Sequence, residues 1–231
     1  LLELDKWILE EFKDLQKDVL EHYESYSYHL VVQRIHNFCV NQLGGVYLDI
    51  IKDRQYTTQQ NSEIRRSAQT AMKLMIDQLV ILVAPILSFT AEEIWQNDAD
   101  LKEKKASVFL AELDSIPDFD SNLDHESWSR LLEIKDNVNQ KIEESRNAGE
   151  IKGSLDTEIE LTVNTSDFQL LNNLSTELHF FFIVSSCNLV QGDDLEVRIK
   201  QSTFEKCTRC WHRNNSVSKS LKHPELCNRC E

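Results

Sequence analysis

Cys207-x-x-Cys210 and Cys227-x-x-Cys230, with sixteen residues between the pairs, are the residues whose type and spacing could do metal chemistry. Each pair presents two thiolates from one tight turn. Two pairs complete a tetrahedral sulfur shell, the preference of structural Zn2+. Soft sulfur ligands exclude Mg2+ and Ca2+ and leave an iron–sulfur centre as the lesser alternative. Four protein ligands leave no open position, so the metal is expected to be structural rather than catalytic. His212 and His223 stand close by as substitute ligands, but four cysteines suffice. A segment of this length with few apolar residues cannot fold by burial, and metal binding supplies the missing free energy. A pair of disulfides is the competing reading. The other two cysteines, Cys39 and Cys187, lie alone in apolar surroundings as ordinary free thiols, which fits a reducing, cytoplasmic compartment and disfavours disulfides.

No catalytic constellation accompanies the cysteines: the chain has no P-loop, no GxGxxG and no GxSxG. Trp211 and His212 follow directly on Cys210, with Arg209 and Arg213 flanking them. An exposed Trp between cations is a platform for an unpaired base. Alternatively, Trp211 packs under the knuckle as its one large apolar residue, and the sequence leaves both readings open. Ser218-Lys219-Ser220, inside the knuckle loop, is read as loop filler.

The formal net charge of −14 argues against non-specific nucleic-acid binding, but the charges are segregated. Residues 98–126 carry a net −6, residues 198–231 a net +5 and residues 52–73 a net +3. A polyanion could meet the two basic segments while the acidic ones stay away.

The elements that must position these residues read mainly as helix. Gly (5) and Pro (3) are scarce, which disfavours long loops and all-β architectures. Leu4, Ile8, Phe12, Leu15 and Val19 form one apolar face of a first helix. A second is expected over 25–43, with Tyr28, Val32, Ile35, Cys39 and Leu43 inward and Gly44-Gly45 as its stop. A third short helix follows, and a fourth begins near Asn61 or Ser62 and runs to Pro85. Thr90, three residues before Glu93, reads as the capping box of a fifth. Antiparallel helices with short connections make a bundle. Residues 98–123 read as an irregular acidic connector, followed by a helix over 124–147. After Gly153 the period changes: "TEIELTV" alternates as a strand, "SDFQLLNNLST" is a helix capped by Ser166 or Asp167, "ELHFFFIVSSCNLV" is an apolar strand and "DLEVRIKQ" alternates again. The expected domains are therefore a helical bundle with its connector over 1–123, a helix plus a β-α-β-β unit over 124–200, and a zinc module over 201–231. The longest apolar stretch, Leu79–Leu87, is far too short to span a membrane. The chain opens without Met and in mid-helical pattern, which reads as part of a longer protein.

Four stretches, in order along nearly the whole chain, resemble isoleucyl-tRNA synthetase of the bacterial type. They are "YSYH" continuing through "QRIHNFCVNQLGGVYLDIIKDRQY", then "RRSAQTAMKLMIDQLVILVAPILSFTAEEIW", then "IKGSLDTEIEL", and the terminal "CTRCWH…HPELCNRC". The second is similar to the helical anticodon-binding domain shared with valyl, leucyl and methionyl synthetases; "YLDIIKDRQY" with the four-cysteine end narrows it to the isoleucyl enzyme. The knuckle spacing also resembles that of formamidopyrimidine-DNA glycosylases, but the helical bundle does not fit them. The resemblance implies an antiparallel anticodon-binding bundle, a small α/β unit and a C-terminal zinc module. It implies a full, monomeric enzyme that joins isoleucine to tRNA(Ile) with ATP. Its catalytic signatures, His-x-Gly-His and Lys-Met-Ser-Lys-Ser, are not in this chain, and Ser218-Lys219-Ser220 echoes the second by three letters only. ATP would belong to an absent catalytic domain, and this chain alone is expected to be inactive. Its expected partner is the anticodon stem-loop. Arg34, Arg54, Arg65, Arg66, Lys73, Arg209, Trp211, Arg213 and Arg229, chosen by charge and face, are the expected RNA contacts. The reading from a different class is an acidic helical scaffold whose zinc knuckle binds a partner protein.

Overall fold

Leu4, Ile8, Phe12, Leu15 and Val19 are all buried along one face of α1 (Glu3–Glu24), as their spacing requires. The computed structural model describes residues 1–231, the side chains of Ala99, Lys102 and Lys104 excepted. It forms two units, residues 1–49 with 66–120 and residues 50–65 with 121–231. Residues 50–65, placed in the bundle by sequence, thus group with the C-terminal residues.

In the first unit α2 (Tyr28–Asn37) runs straight into a π-helical stretch, Phe38–Leu48. Gly44-Gly45 therefore does not stop the helix. A Cβ on Gly44 would lie 2.9 Å from the Cys39 carbonyl oxygen, and one on Gly45 would lie 3.1 Å from that of Val40. The two glycines let the widened turns close, so their role is to admit the π geometry. The buried face also differs from the expected one: Val31, Phe38 and Tyr47 are inside, while Tyr28 and Val32 are each 50% exposed. Gly44→Ala is expected to destabilise this unit by about 1–3 kcal/mol through that backbone clash. Urea unfolding checks it, and an unchanged midpoint would remove the π-turn account.

A buried carboxylate ties the unit together. Asp5 accepts hydrogen bonds from the Tyr47 hydroxyl at 2.7 Å and the Ser67 hydroxyl at 2.5 Å, so its burial is compensated. Ser67 lies on α4 (Glu63–Val83), which starts where the sequence places it. The next helix, α5 (Ser88–Asn97), begins before Thr90, so the expected capping box does not form; Leu87 stands at the cap without a side-chain bond. The acidic connector is not wholly irregular. Asp98 accepts from the Asp100 and Leu101 backbone N–H groups and starts α6 (Ala99–Lys104), and a single 3₁₀ turn follows at Val108–Leu110. Leu101 and Val108 pack on Trp95, Ala91, Ala84 and Val80.

The second unit is built on α3 (Asp49–Thr57), α7 (His125–Asn147) and a three-stranded sheet. Asp124 caps α7 through the Ser127 N–H at 2.9 Å, and Gly149, with φ of 76°, closes its end. Strand β1 (Thr157–Val163) is central, parallel to β2 (Ser186–Gln191) and antiparallel to β3 (Glu196–Gln201). Between β1 and β2 lie α8 (Thr165–Asn172), capped by Asn164 rather than Ser166 or Asp167, and the one-turn α9 (Leu178–Phe181). The expected long apolar strand is thus half helix. Phe180, Phe181 and Phe182 are all buried, which a strand's alternating faces could achieve only between two layers. The one-turn helix and its C-cap residue Phe182 are buried on several sides, and Ile183, at φ of 54°, redirects the chain into β2. Lys135 on α7 donates to the Phe181 carbonyl at 2.6 Å and so fixes that turn.

Candidate metal centre and nucleic-acid interface

The apolar burial of residues 204–231 is confined to the four cysteines, Val217 and part of Leu226, with His212 buried beside them. Their framework is a short knuckle. The Cys207 N–H donates to the His212 carbonyl at 2.9 Å, the Trp211 N–H donates to the Cys207 carbonyl at 2.9 Å, and Lys206 bridges Arg213 in antiparallel sense. The second pair turns likewise, with the Cys230 N–H donating to the Cys227 carbonyl at 2.9 Å. The Cys227 N–H also donates to the Cys207 sulfur at 3.4 Å.

The four Sγ atoms lie within 4.8 Å of one another, and Cys210 and Cys227 stand 3.7 Å apart. A tetrahedron with ~2.3 Å zinc–sulfur bonds has edges of about 3.8 Å, so the cradle fits Zn2+. Sulfurs this crowded share protons unequally. Hydrogen bonding with Cys227 drives the Cys210 thiol well above the usual range, and the same contact holds Cys227 well below it. A divalent cation resolves the conflict by taking all four as thiolates. The two histidines are elsewhere engaged: His212 Nε2 is 3.4 Å from Asp53, and His223 Nδ1 is 3.7 Å from Glu225. Ser220 is turn chemistry: its hydroxyl accepts from the Lys222 and His223 N–H groups and donates to Glu231.

The residues expected to contact RNA fall into different environments. Arg54 is only 1% exposed and pairs with Glu177 at 2.6 Å, so it is a core residue and cannot meet RNA in this structure. Arg213 is a strut, donating to Asp156 at 2.8 Å and to the Phe204 carbonyl at 2.9 Å. Lys73 is neutralised by Asp77 at 2.7 Å and Asp98 at 3.1 Å. Arg34 pairs with Asp18 at 2.8 Å. Arg65, half-buried, donates to the Thr58 carbonyl. Arg66 is exposed, and its guanidinium donates to the Gln69 side chain. Arg229 lies over the Phe180 ring, 4.7 Å from its centroid. Arg209 is exposed and held by the Cys230 and Tyr56 carbonyls at 3.1 and 3.5 Å.

Trp211 does not pack under the metal. Its indole is 61% exposed, with the Lys206 ammonium 5.9 Å from the ring centroid. Its backbone sits in the left-handed region at φ of 65°, which costs a large side chain about 1–2 kcal/mol and aims it away from the knuckle. His212 takes the interior place instead, at 3% exposure.

Residues 5–161 match the family described as the anticodon-binding domain of tRNA ligase. The chain belongs to that family. Residues 204–231 match a second, the zinc finger found in FPG and IleRS, and with the four-cysteine cradle this assigns one structural Zn2+ to the module. The anticodon-binding-family chain is similar over its whole length to isoleucine–tRNA ligases. Identities are 42% with that of Teredinibacter turnerae, 43% with that of Ruthia magnifica and 42% with that of Legionella pneumophila strain Paris. It spans about a quarter of each relative, 26% in all three. Among the described residues no helix is long and apolar enough to cross a membrane.

Three residues near the knuckle in this anticodon-binding-family chain escaped the charge count. Tyr56, 79% exposed, lies on the helix turn that Arg209 grips. "DRQY" contained it, but neutral aromatics carry no weight in a search for cations. The His179–Phe180 pair, with ring centroids 4.1 Å apart, sat inside what read as a strand.

Proposed function

We propose that this chain is the tRNA-recognition part of an isoleucine–tRNA ligase, and that its partner is the anticodon stem-loop of tRNA(Ile). The observation that carries the reading is the exposed Trp211 indole, set on a metal-fixed knuckle beside Lys206 and Arg209. An unpaired base stacks on such a ring while the cations take its phosphates. Tyr56 offers a second ring in the same unit. Arg66 and Arg34 are the corresponding cations of the bundle.

The whole enzyme, a cytoplasmic monomer in this reading, attaches isoleucine to tRNA(Ile) with ATP; the chain itself supplies binding only. No ATP–pyrophosphate exchange is expected from the pure chain, and measurable exchange would overturn that division of labour. The scaffold reading is not favoured, since residues 5–161 match the anticodon-binding domain of tRNA ligase and the whole chain is similar to isoleucine–tRNA ligases. Trp211→Ala is expected to weaken tRNA(Ile) binding by about 1–3 kcal/mol, roughly five- to hundredfold in Kd. Gel shift with zinc-loaded protein measures it. Unchanged affinity removes Trp211 from the interface.

A further inference from the structure

A pocket of about 340 Å³ opens in the C-terminal unit, between the second knuckle and the segment from α9 to β2. His179, His212, Asn228 and Arg229 line it, with the exposed hydroxyls of Ser175 and Ser186 at its rim. Arg229 is its unusual member. Its Nε and Nη2 atoms are buried and lack any hydrogen-bond partner, and among the described residues the guanidinium makes no ion pair. Its guanidinium lies over the Phe180 ring face and close enough to Cys210 to favour the thiolate there. A buried cationic donor without an acceptor is costly, and a native protein keeps one where something else supplies the acceptor.

The unpartnered atoms point to the chemistry. Nε and Nη2 form one edge of the guanidinium, the edge that takes two oxygens of a phosphate or carboxylate side by side. Turning that edge into the pocket breaks no hydrogen bond and no salt bridge, only the contact with the Phe180 face. The other charges nearby are already matched. Arg54 pairs with Glu177 at 2.6 Å, and Asp53 faces His212 at 3.4 Å, while Arg229 has the charge of the neighbouring cysteine cluster but no hydrogen-bond acceptor on its Nε–Nη2 edge. The local field is positive: burial first, and then the charges of His212, Arg229 and Arg54, push the His179 imidazole down to about 3. His179 is therefore neutral and offers an N–H donor rather than a charge. The Asn228 side-chain oxygen accepts from Ser216, which leaves its amide N–H groups to face outward. The pocket thus gathers donors and the Arg229 guanidinium, and of the four cysteines of the metal cradle Cys227 lines it.

We propose that this pocket seats a backbone phosphate of the bound RNA, with Arg229 as its bidentate partner. The inference rests on the RNA-binding reading above. It differs from base stacking on Trp211 in being indifferent to base identity, because a phosphate contact positions the chain and does not read sequence.

The test is equilibrium binding of the zinc-loaded chain to tRNA(Ile), and to the same tRNA with an exchanged anticodon, over a series of salt concentrations. Arg229→Gln is expected to weaken both RNAs by the same factor, about tenfold at low salt. The slope of log affinity against log salt should fall by about 0.7–0.9, the loss of one phosphate contact. Asn228→Asp, which keeps the oxygen that Ser216 bonds and sets a carboxylate at the rim, should weaken both RNAs while retaining one zinc per chain. It guards against misfolding of the Arg229 variant. Unchanged affinity and slope in both variants would overturn the phosphate seat, and so would a loss confined to one anticodon. Failure of the wild-type chain to bind either RNA overturns the RNA-binding reading itself, and the phosphate seat with it.

Discussion

Replacing Cys227 with Ala is expected to abolish zinc binding and unfold residues 204–231. The reason is quantitative. Val217 and part of Leu226 are the module's apolar burial beyond its cysteines, worth a few kcal/mol at ~25 cal/mol per Å². Ordering each residue costs about 1–2 kcal/mol in backbone entropy alone. Structural zinc supplies on the order of 10–16 kcal/mol, and the loss of one thiolate of four forfeits most of it. Metal analysis should fall from one zinc per chain to none, with new proteolytic cleavage after Arg209 or Lys219. A chelator should reproduce the effect on wild-type protein. His223→Ala should change neither readout, because that ring is exposed and only meets Glu225. A Cys227→Ala variant that keeps its zinc and its protease resistance would contradict the metal assignment.

The second large effect lies beneath the pocket. Glu177→Ala leaves the Arg54 guanidinium buried without its 2.6 Å counter-ion. Removing one partner of a buried pair costs about 3–5 kcal/mol, since the survivor cannot regain water. The C-terminal unit should lose that much in urea unfolding. Replacing both residues together, Arg54→Met with Glu177→Leu, should recover much of the loss, because no charge then stays buried. Arg66→Ala, at an exposed helix position, should stay within about 0.5 kcal/mol of wild type. A loss below 1 kcal/mol for Glu177→Ala would mean that Arg54 finds another partner or reaches solvent.

How legible these features were depends on the kind of signal. The metal site was readable because ligand type and spacing alone define it, and the fold had only to bring two turns together. The face of α1 and the alternation of β1 were readable because one period runs unbroken through each. The π-helical stretch was hidden, since two glycines in sequence are a stop in one geometry and a close-packing device in another. Only the distances to the Cys39 and Val40 carbonyls separate the two. The three phenylalanines were misread because an apolar run carries no period, and burial by a helical turn looks the same as burial by a strand.

The residues expected to face RNA show the limit most clearly. Charge chose Arg54 and Arg213 as readily as Arg66 and Arg209. What separates them is the acid opposite each: Glu177 and Asp156 come from distant parts of the chain, so no local pattern marks them. Trp211 was the reverse case. Its position beside Cys210 was plain, and the left-handed backbone at that residue decides which way the ring faces.

The central claim is that this acidic chain binds RNA through a metal-fixed surface. The most direct measurement is a gel shift of the reduced, zinc-loaded chain at low salt with tRNA(Ile) and with the same tRNA carrying an exchanged anticodon. Retention of both, with tighter binding of tRNA(Ile), is the predicted result. A folded chain holding one zinc that retains neither RNA would contradict the account.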